Sequence, residues 1–579
     1  YRSRAGLRPQ PAPAAATLDE VNWPQLSQAL EQRAGLYNAK LVSSGSEVEV
    51  IADQKRYRER HEVYQQAAQV MAEQLPAEVS HYRITEQRDR LEGASVVIDA
   101  KAYQRVAEHR DINADVLDAA RIEEPPTTRG TTMHNSQQPL SSYLAPQLQQ
   151  SVGGSESFYM YSLGLNGGAD YQLNDNWQFG GALYLNLADN FDKFLYLTPP
   201  DGTGELVPRV RTLARQYIHD TPLRLQNLQL TWMNAFGNGW YAQSYAGYLE
   251  LMFAGGGGEL LYRPLQSSWA IGVDANYVIQ RDPNSHGGLF DEEYHIDDLG
   301  RSYMVITGDF TGHLSLYYQP QWQWLGLNTT RWRLGAGQYL AGDRGLTLEF
   351  SKKFNSGMIV GAQVTKTDLS AEEYGEGSFN KGFFISIPFD LMTANPTTRR
   401  GSLAWSPLTR DGGQALSRKH HLIGLSESRS LSPHVTAQFA LPQNGAEGVP
   451  DTSYVSDYQG VRFVVLDGTS ALDLGTLQAQ THWLEEALKS SKATWNIVVM
   501  HQPIYTCARP EDTEELKAAW KPLLDRYKVD LVLQGHDHCY SRLTHALGRD
   551  ATRKAIKANQ AIGPVYMVSV TGSKMYGVN

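Results

Sequence analysis

The sequence predicts a mixed fold. A small α/β module occupies residues 1–125, an antiparallel transmembrane-type β-barrel 126–428, and a partial α/β sandwich 434–579. Three patterns carry that reading: a helical apolar stripe, then strict odd–even alternation over long strands, then unbroken apolar strands alternating with helices. Composition sets the outer bounds. Of the 579 residues, 41% are hydrophobic, enough to pack cores and to exclude wholesale disorder. Basic side chains number 52 and acidic ones 62, a formal charge of −10, so no basic face for nucleic acid is expected. The 31 tyrosines and 51 glycines point to extensive β-structure.

In the first part, Pro9 to Ala16 reads as a linker. Trp23 to Leu30 reads as a helix and Val48 to Ile51 as a strand. Tyr64, Ala67, Ala68, Met71 and Leu75 recur at helical spacing, one apolar stripe that belongs to a core, and Pro76 ends that helix. Tyr82 to Thr85 and Ser95 to Ile98 read as further strands.

The character changes near residue 155. Tyr159, Tyr161, Leu163, Leu165, Tyr171 and Leu173 occupy odd positions, Asn174-Asp175-Asn176 makes a turn, and Trp177, Phe179, Leu183 and Leu185 resume the alternation. Trp269, Ile271, Val273 and Tyr277 alternate with Gly272, Asp274 and Asn276, and Gly237-Asn238-Gly239 marks another hairpin. Nothing approaches the ~18 apolar residues in a row of a membrane-spanning helix. A barrel hides its apolar face in alternation, and strands near ten residues with aromatic ends fit one better than a soluble sandwich. Tyr159, Leu163, Trp269, Ile271 and Val273 are expected to face lipid.

Several local features in this zone read as unremarkable. Gly308-Asp309 and Gly342-Asp343 read as turns, and Gly255 to Gly258 lacks the Lys-Ser/Thr of a phosphate-binding loop. Lys419-His420-His421 reads as an exposed polar end, and Glu372, Glu373 and Glu376 as a solvated loop.

The third part begins near residue 434. Gly460 to Asp467, Asn496 to Met500 and Val529 to Leu533 read as buried strands, separated by the helices Leu477 to Lys489 and Leu516 to Tyr527. His501, His536 and His538 sit just past strand ends, where ligands gather in α/β sheets. A lone histidine there is more often structural. Three together, two in Gly535-His536-Asp537-His538, point to metal, for which imidazole is the commonest ligand. Cys507 and Cys539 follow the same strand ends and are either a disulfide or two buried thiols.

Two resemblances become specific on these residues. Tyr82 to Gln87, Gly377 to Phe389 and Trp405 to Gly413 resemble stretches of the YjbH-type exopolysaccharide-associated outer-membrane proteins, in consistent order over roughly residues 15–425. That resemblance implies a periplasmic module, a large barrel, a role in polysaccharide export and no catalytic residues. Expected partners are outer-membrane lipid, polysaccharide and other export proteins, with no nucleic acid. Val498 to His501 and Gly535 to His538 resemble two blocks of the calcineurin-like metallophosphoesterases, in the purple acid phosphatase branch. By that resemblance His501 and His536 bind one metal and His538 the other, the ions being Fe, Zn or Mn, and the substrates phosphate esters. The family's earlier Gly-Asp and Gly-Asn-His blocks have no counterpart upstream, so the segment reads as the C-terminal half of the domain. The expected function is an outer-membrane exopolysaccharide protein joined to an incomplete phosphoesterase. The alternative is a surface-anchored two-metal acid phosphatase. Both termini read as cut, and the join near residue 430 as a fusion or chimera.

Overall fold

The computed structural model describes residues 15–107, 120–152, 157–194, 206–285, 287–296, 300–320, 324–354, 356–374, 377–393, 396–406, 411–430, 444–447, 449, 452–473, 475–508, 511–537, 539–544 and 563–569. Two compact units divide after Ser432.

The first unit opens with β1 (Leu36–Ser44), β2 (Glu47–Gln54), β3 (His81–Arg88), β4 (Leu91–Asp99), β5 (Ala120–Glu123) and β6 (Thr131–Asn135), paired in the order β5-β4-β3-β2-β1-β6. Only β2 and β3 run parallel, and the helix Arg60–Gln74 makes the crossover that a parallel pair requires. The apolar stripe is that helix's buried face: Tyr64, Ala67, Ala68, Met71 and Leu75 are at most 2% exposed. β6 lies beyond residue 125, yet it pairs with β1 in this sheet.

Thirteen strands then form one antiparallel sheet. They are β7 (Leu140–Val152), β8 (Tyr159–Gln172), β9 (Trp177–Asp189), β10 (Leu223–Gly237), β11 (Trp240–Tyr248), β12 (Phe253–Tyr262), β13 (Trp269–Gln280), β16 (Asp309–Tyr318), β17 (Thr330–Gln338), β18 (Arg344–Lys353), β19 (Ile359–Thr367), β20 (Asn380–Pro388) and β21 (Arg400–Trp405). A small hairpin of β14 (Tyr294–Ile296) and β15 (Ser302–Met304) stands in the connection between β13 and β16. Each barrel strand pairs with its neighbours in chain order, and the sheet curls until the Val152 N–H donates to the Ser406 carbonyl at 3.1 Å. An odd number of alternating strands leaves the first and last pointing the same way. The seam is therefore parallel, the weaker arrangement, and no ladder joins β7 to β21 among the described residues.

The alternation faces outward as expected. Tyr159, Leu163, Trp269, Ile271 and Val273 are 38–46% exposed on the outer surface, while inward-facing Gln178, Gln229, Gln243, Glu259 and Asp274 are at most 9% exposed. An apolar outside around a packed polar inside is the reverse of a soluble sandwich and matches a membrane barrel. The β10–β11 turn is closed by Gly237, Asn238 and Gly239, all at positive φ (78°, 50° and 87°), as a tight hairpin demands. Gly255 to Gly258 lie within strand β12.

The barrel's two ends differ. The tight turns 173–176, 238–239 and 263–268 share one end, and the long connections 190–222 and 281–308 share the other. The α/β module docks at the short-turn end, where Tyr241 Oη donates to the Gly93 carbonyl (3.2 Å) and Arg58 to that of Ser356 (2.6 Å). At the long-loop end, Phe191, Val210, Leu213, Tyr217, Phe253 and Leu340, each at most 4% exposed, share one apolar cluster. After β21 the chain turns back into the lumen. Lys419 and His420, expected in an exposed polar end, lie against the inner wall with side chains 14% and 9% exposed. A barrel interior is polar, so a lumenal segment carries the same residue types as a solvated one.

The second unit is a sheet of β22 (Tyr454–Tyr458), β23 (Val461–Leu466), β24 (Trp495–Met500), β25 (Leu531–Gln534), β26 (Ser541–Thr544) and β27 (Val565–Val568), ordered β22-β23-β24-β25-β27-β26. β23, β24, β25 and β27 run parallel. The helices Leu477–Lys489 and Glu514–Arg526 cover one face, burying Val464, Val498, Val532, Leu484, Trp520 and Leu524 completely. On the opposite face Phe463, Val465, Ile497, Val499, Leu531 and Leu533 are only half-buried.

Candidate metal centre

β24 and β25 run parallel with Val499 beside Leu533, so His501 and Gly535-His536 leave the sheet at the same edge. The Gly535 N–H donates to the His501 carbonyl at 3.0 Å. A Cβ on residue 535 would stand 3.3 Å from His501 Nδ1, so glycine keeps the imidazole uncrowded. His536 adopts φ 65°, a left-handed conformation uncommon outside glycine. Its Nδ1 then lies 3.3 Å from His501 Nε2, with the rings edge-on at 88°. Two nitrogens each ~2.0–2.1 Å from one tetrahedral ion stand about 3.3 Å apart. The pair therefore has the spacing of two ligands on a single ion, and both side chains are exposed. His538, the third expected ligand, lies outside the described residues.

A clamp holds this loop. Asp537, 2% exposed, accepts the N–H of Cys507 (2.9 Å) and of Ala508 (3.2 Å). Cys507 and Cys539 form a disulfide with their Cα atoms 6.3 Å apart, which settles the alternative that the sequence left open. Cys507, Asp537 and Cys539 make a cluster of metal-ligating types. Both sulfurs are bonded to each other and the carboxylate holds two backbone N–H groups, so the cluster is a structural tie. Sequence reasoning gave Asp537 no role. Its signal was a short acceptor in a tight turn, which commonly binds nearby backbone. Beside it, Tyr505 packs edge-on to Tyr566 at 4.8 Å, and burial pushes its hydroxyl pKa up. Gln502 donates to Thr469 Oγ1 at 2.6 Å, tying the exit of β24 to the short helix Gly468–Asp473 that follows β23.

Among the described residues, no carboxylate joins His501 and His536 in a ligand cluster. Neutral imidazoles add no charge to offset a cation, and they do not bridge two of them. The donor set on view fits one ion held on one side.

The model of the YjbH family, described as exopolysaccharide biosynthesis protein YbjH, matches residues 2–427. The calcineurin-like phosphoesterase model matches residues 428–540. The uncharacterized lipoprotein YjbH of Escherichia coli (strain K12) is 37% identical over 435 residues, which cover 75% of this chain and 60% of that protein. Purple acid phosphatase 17 of Arabidopsis thaliana is 44% identical over 61 residues, 10% of this chain and 18% of that protein. Among solved structures, a loop-deleted OmpT, an outer-membrane protein of Vibrio cholerae, aligns with 43% of this chain and 87% of its own at 8% identity and a TM-score of 0.22. The chain thus spans 60% of the lipoprotein's length and under a fifth of the phosphatase's.

Proposed function

The chain belongs to the YjbH family of exopolysaccharide biosynthesis proteins, and from that premise we propose that it is an outer-membrane barrel serving exopolysaccharide export. One observation carries the reading: the outer belt of Trp269, Ile271 and Val273 encircles a polar lumen. Short turns mark the periplasmic end of such barrels and long loops the outer one. The α/β module, docked at the short-turn end, therefore faces the periplasm. Lipid, polysaccharide and other export proteins are the partners this placement requires. The test is fractionation of source cells. The protein extracts from envelopes with detergent and resists high salt. Release by salt alone would refute membrane insertion.

The phosphoesterase segment implies dependence on a divalent metal, through the family it matches. We infer that it is the incomplete half of such a domain. The half-buried apolar face of Phe463, Val465, Ile497 and Val499 supports this, because parallel sheets are normally covered on both sides. A complete two-metal centre needs carboxylates to bridge its ions, and among the described residues none joins the His501–His536 pair. Binding is then weak and limited to one ion, and aryl phosphate hydrolysis by the purified chain stays at background with Mn, Zn or Fe. The competing reading, a surface-anchored acid phosphatase, draws on the 3.3 Å histidine pair. Robust turnover that disappears in His536→Ala would establish it instead.

A further inference from the structure

After β21 the chain crosses the barrel from its long-loop end to its short-turn end. At the long-loop end Asp411 pairs with Arg209 (2.6 Å, both side chains fully buried), and the Gly413 N–H donates to Asp343 (2.8 Å). Next the Ser417 N–H donates to Glu250 at 3.0 Å. Midway, Arg418 stands between two wall carboxylates, Glu259 at 3.0 Å and Asp274 at 3.6 Å, with all three side chains at most 8% exposed. Lys419 pairs with Asp170 of β8, and His420 Nε2 lies 2.8 Å from Gln178 Oε1 of β9. The segment leaves by the short-turn end, where Arg263 donates to the Ile423 carbonyl (2.8 Å) and Arg429 grips Glu124 of the module (2.7 Å).

We propose that residues 411–430 are a plug that keeps the barrel shut, and that the pairs of Arg418 and Lys419 with Glu259, Asp274 and Asp170 are its latch. Two observations bear on this. The strap touches both arcs of the wall, so it spans the lumen and does not merely line it: Arg418, Lys419 and His420 meet β8, β9, β12 and β13, while Asn380 of β20 donates to the Gly412 and Gly413 carbonyls at 3.0 and 2.8 Å. Its Leu416 joins the apolar cluster at the long-loop end, so strap and outer loops close that mouth together. The latch is strong because it is internal. A wall carboxylate that loses its cation stays charged in a poorly solvated place, and salt screens such a pair far less than an exposed one. Passage of a polysaccharide, the function proposed above on which this inference rests, then requires the strap to leave.

The full chain reconstituted in planar lipid bilayers gives the test, with potassium chloride current as the probe. The wild type carries almost no current. Replacing residues 414–421 by a Gly/Ser linker of equal length raises conductance at least tenfold. Arg418→Glu combined with Lys419→Asp does the same. Adding Asp170→Lys to Lys419→Asp re-forms one pair with its charges exchanged and lowers the current again, which misfolding would not do. A wild type that conducts as well as the linker variant overturns the plug. Failure of the exchanged pair to restore closure overturns the latch. If the chain does not enter lipid vesicles at all, it is the membrane reading that fails, so the two failures are distinguishable.

Discussion

The barrel wall and the C-terminal sheet both present rows of apolar side chains to the outside, for opposite reasons. On the wall, Trp269, Ile271 and Val273 alternate with buried polar residues, and every second position repeats the choice around the ring. On the C-terminal sheet, Val464 and Val498 are fully buried beneath helices, and their neighbours Val465 and Val499 are as apolar yet half-buried. The first pattern is made for an apolar solvent. The second is a sheet with two apolar faces, of which one is covered. An exposed valine thus stands between polar sequence neighbours on the barrel wall and between apolar ones on the C-terminal sheet.

Substitution on the covered face should give the largest effect. Leu484→Ala removes a fully buried side chain and should cost ~2–5 kcal/mol, against under ~1 kcal/mol for Val499→Ala. Hydrogen exchange of peptides from residues 461–534 in the full chain reads the difference. Equal costs would mean that both faces are covered, and the contrast would collapse.

Arginine distinguishes the two exposed rows. Val273→Arg on the barrel's outer face should cost ~2–4 kcal/mol in bilayers, whereas Val499→Arg should cost less, since its charge reaches water. Urea unfolding in lipid vesicles measures the first, and the exchange assay the second. A tolerated Val273→Arg would remove the membrane from the comparison.

Loss of the disulfide sharpens the picture of the C-terminal unit. Cys507→Ser opens a bridge between residues 32 apart and should cost ~2–4 kcal/mol under oxidising conditions. It should also weaken cobalt binding by His501 and His536, because the loop that aligns them loses a tie. Unchanged cobalt titration would show that Asp537 suffices.

The smallest effect concerns pH at the junction of module and barrel. Burial alone would raise the Glu427 pKa, but Arg88 at 3.2 Å and Arg331 at 3.8 Å, with Arg60 and Arg263, hold it at about 2. A depressed carboxylate stabilises the fold above its ordinary pKa of ~4.3 and loses that contribution as pH falls towards 2. Proteolysis of the junction by pepsin should therefore accelerate between about pH 4 and pH 2, and Glu427→Gln should flatten that rise.

The sequence by itself determined the local layers. Period-two alternation, the stripe of Tyr64 to Leu75 and the unbroken strands before His501 are statements about one residue and its near neighbours, and burial followed them. It left the strand Leu140–Val152 unassigned, since Ser, Gln and Pro blur its pattern. It also placed Lys419 and His420 in solvent, because polar side chains suit a barrel lumen as well as they suit water. Only the tertiary structure decided what depends on closure and on distant pairing. The parallel seam at Val152 and Ser406, the strap between Glu259 and Asp274, the tie of Cys507 to Cys539 and the 3.3 Å approach of two histidines each join residues far apart in the chain. No local periodicity encodes such contacts. They exist because sheet curvature and strand order bring those positions to one place.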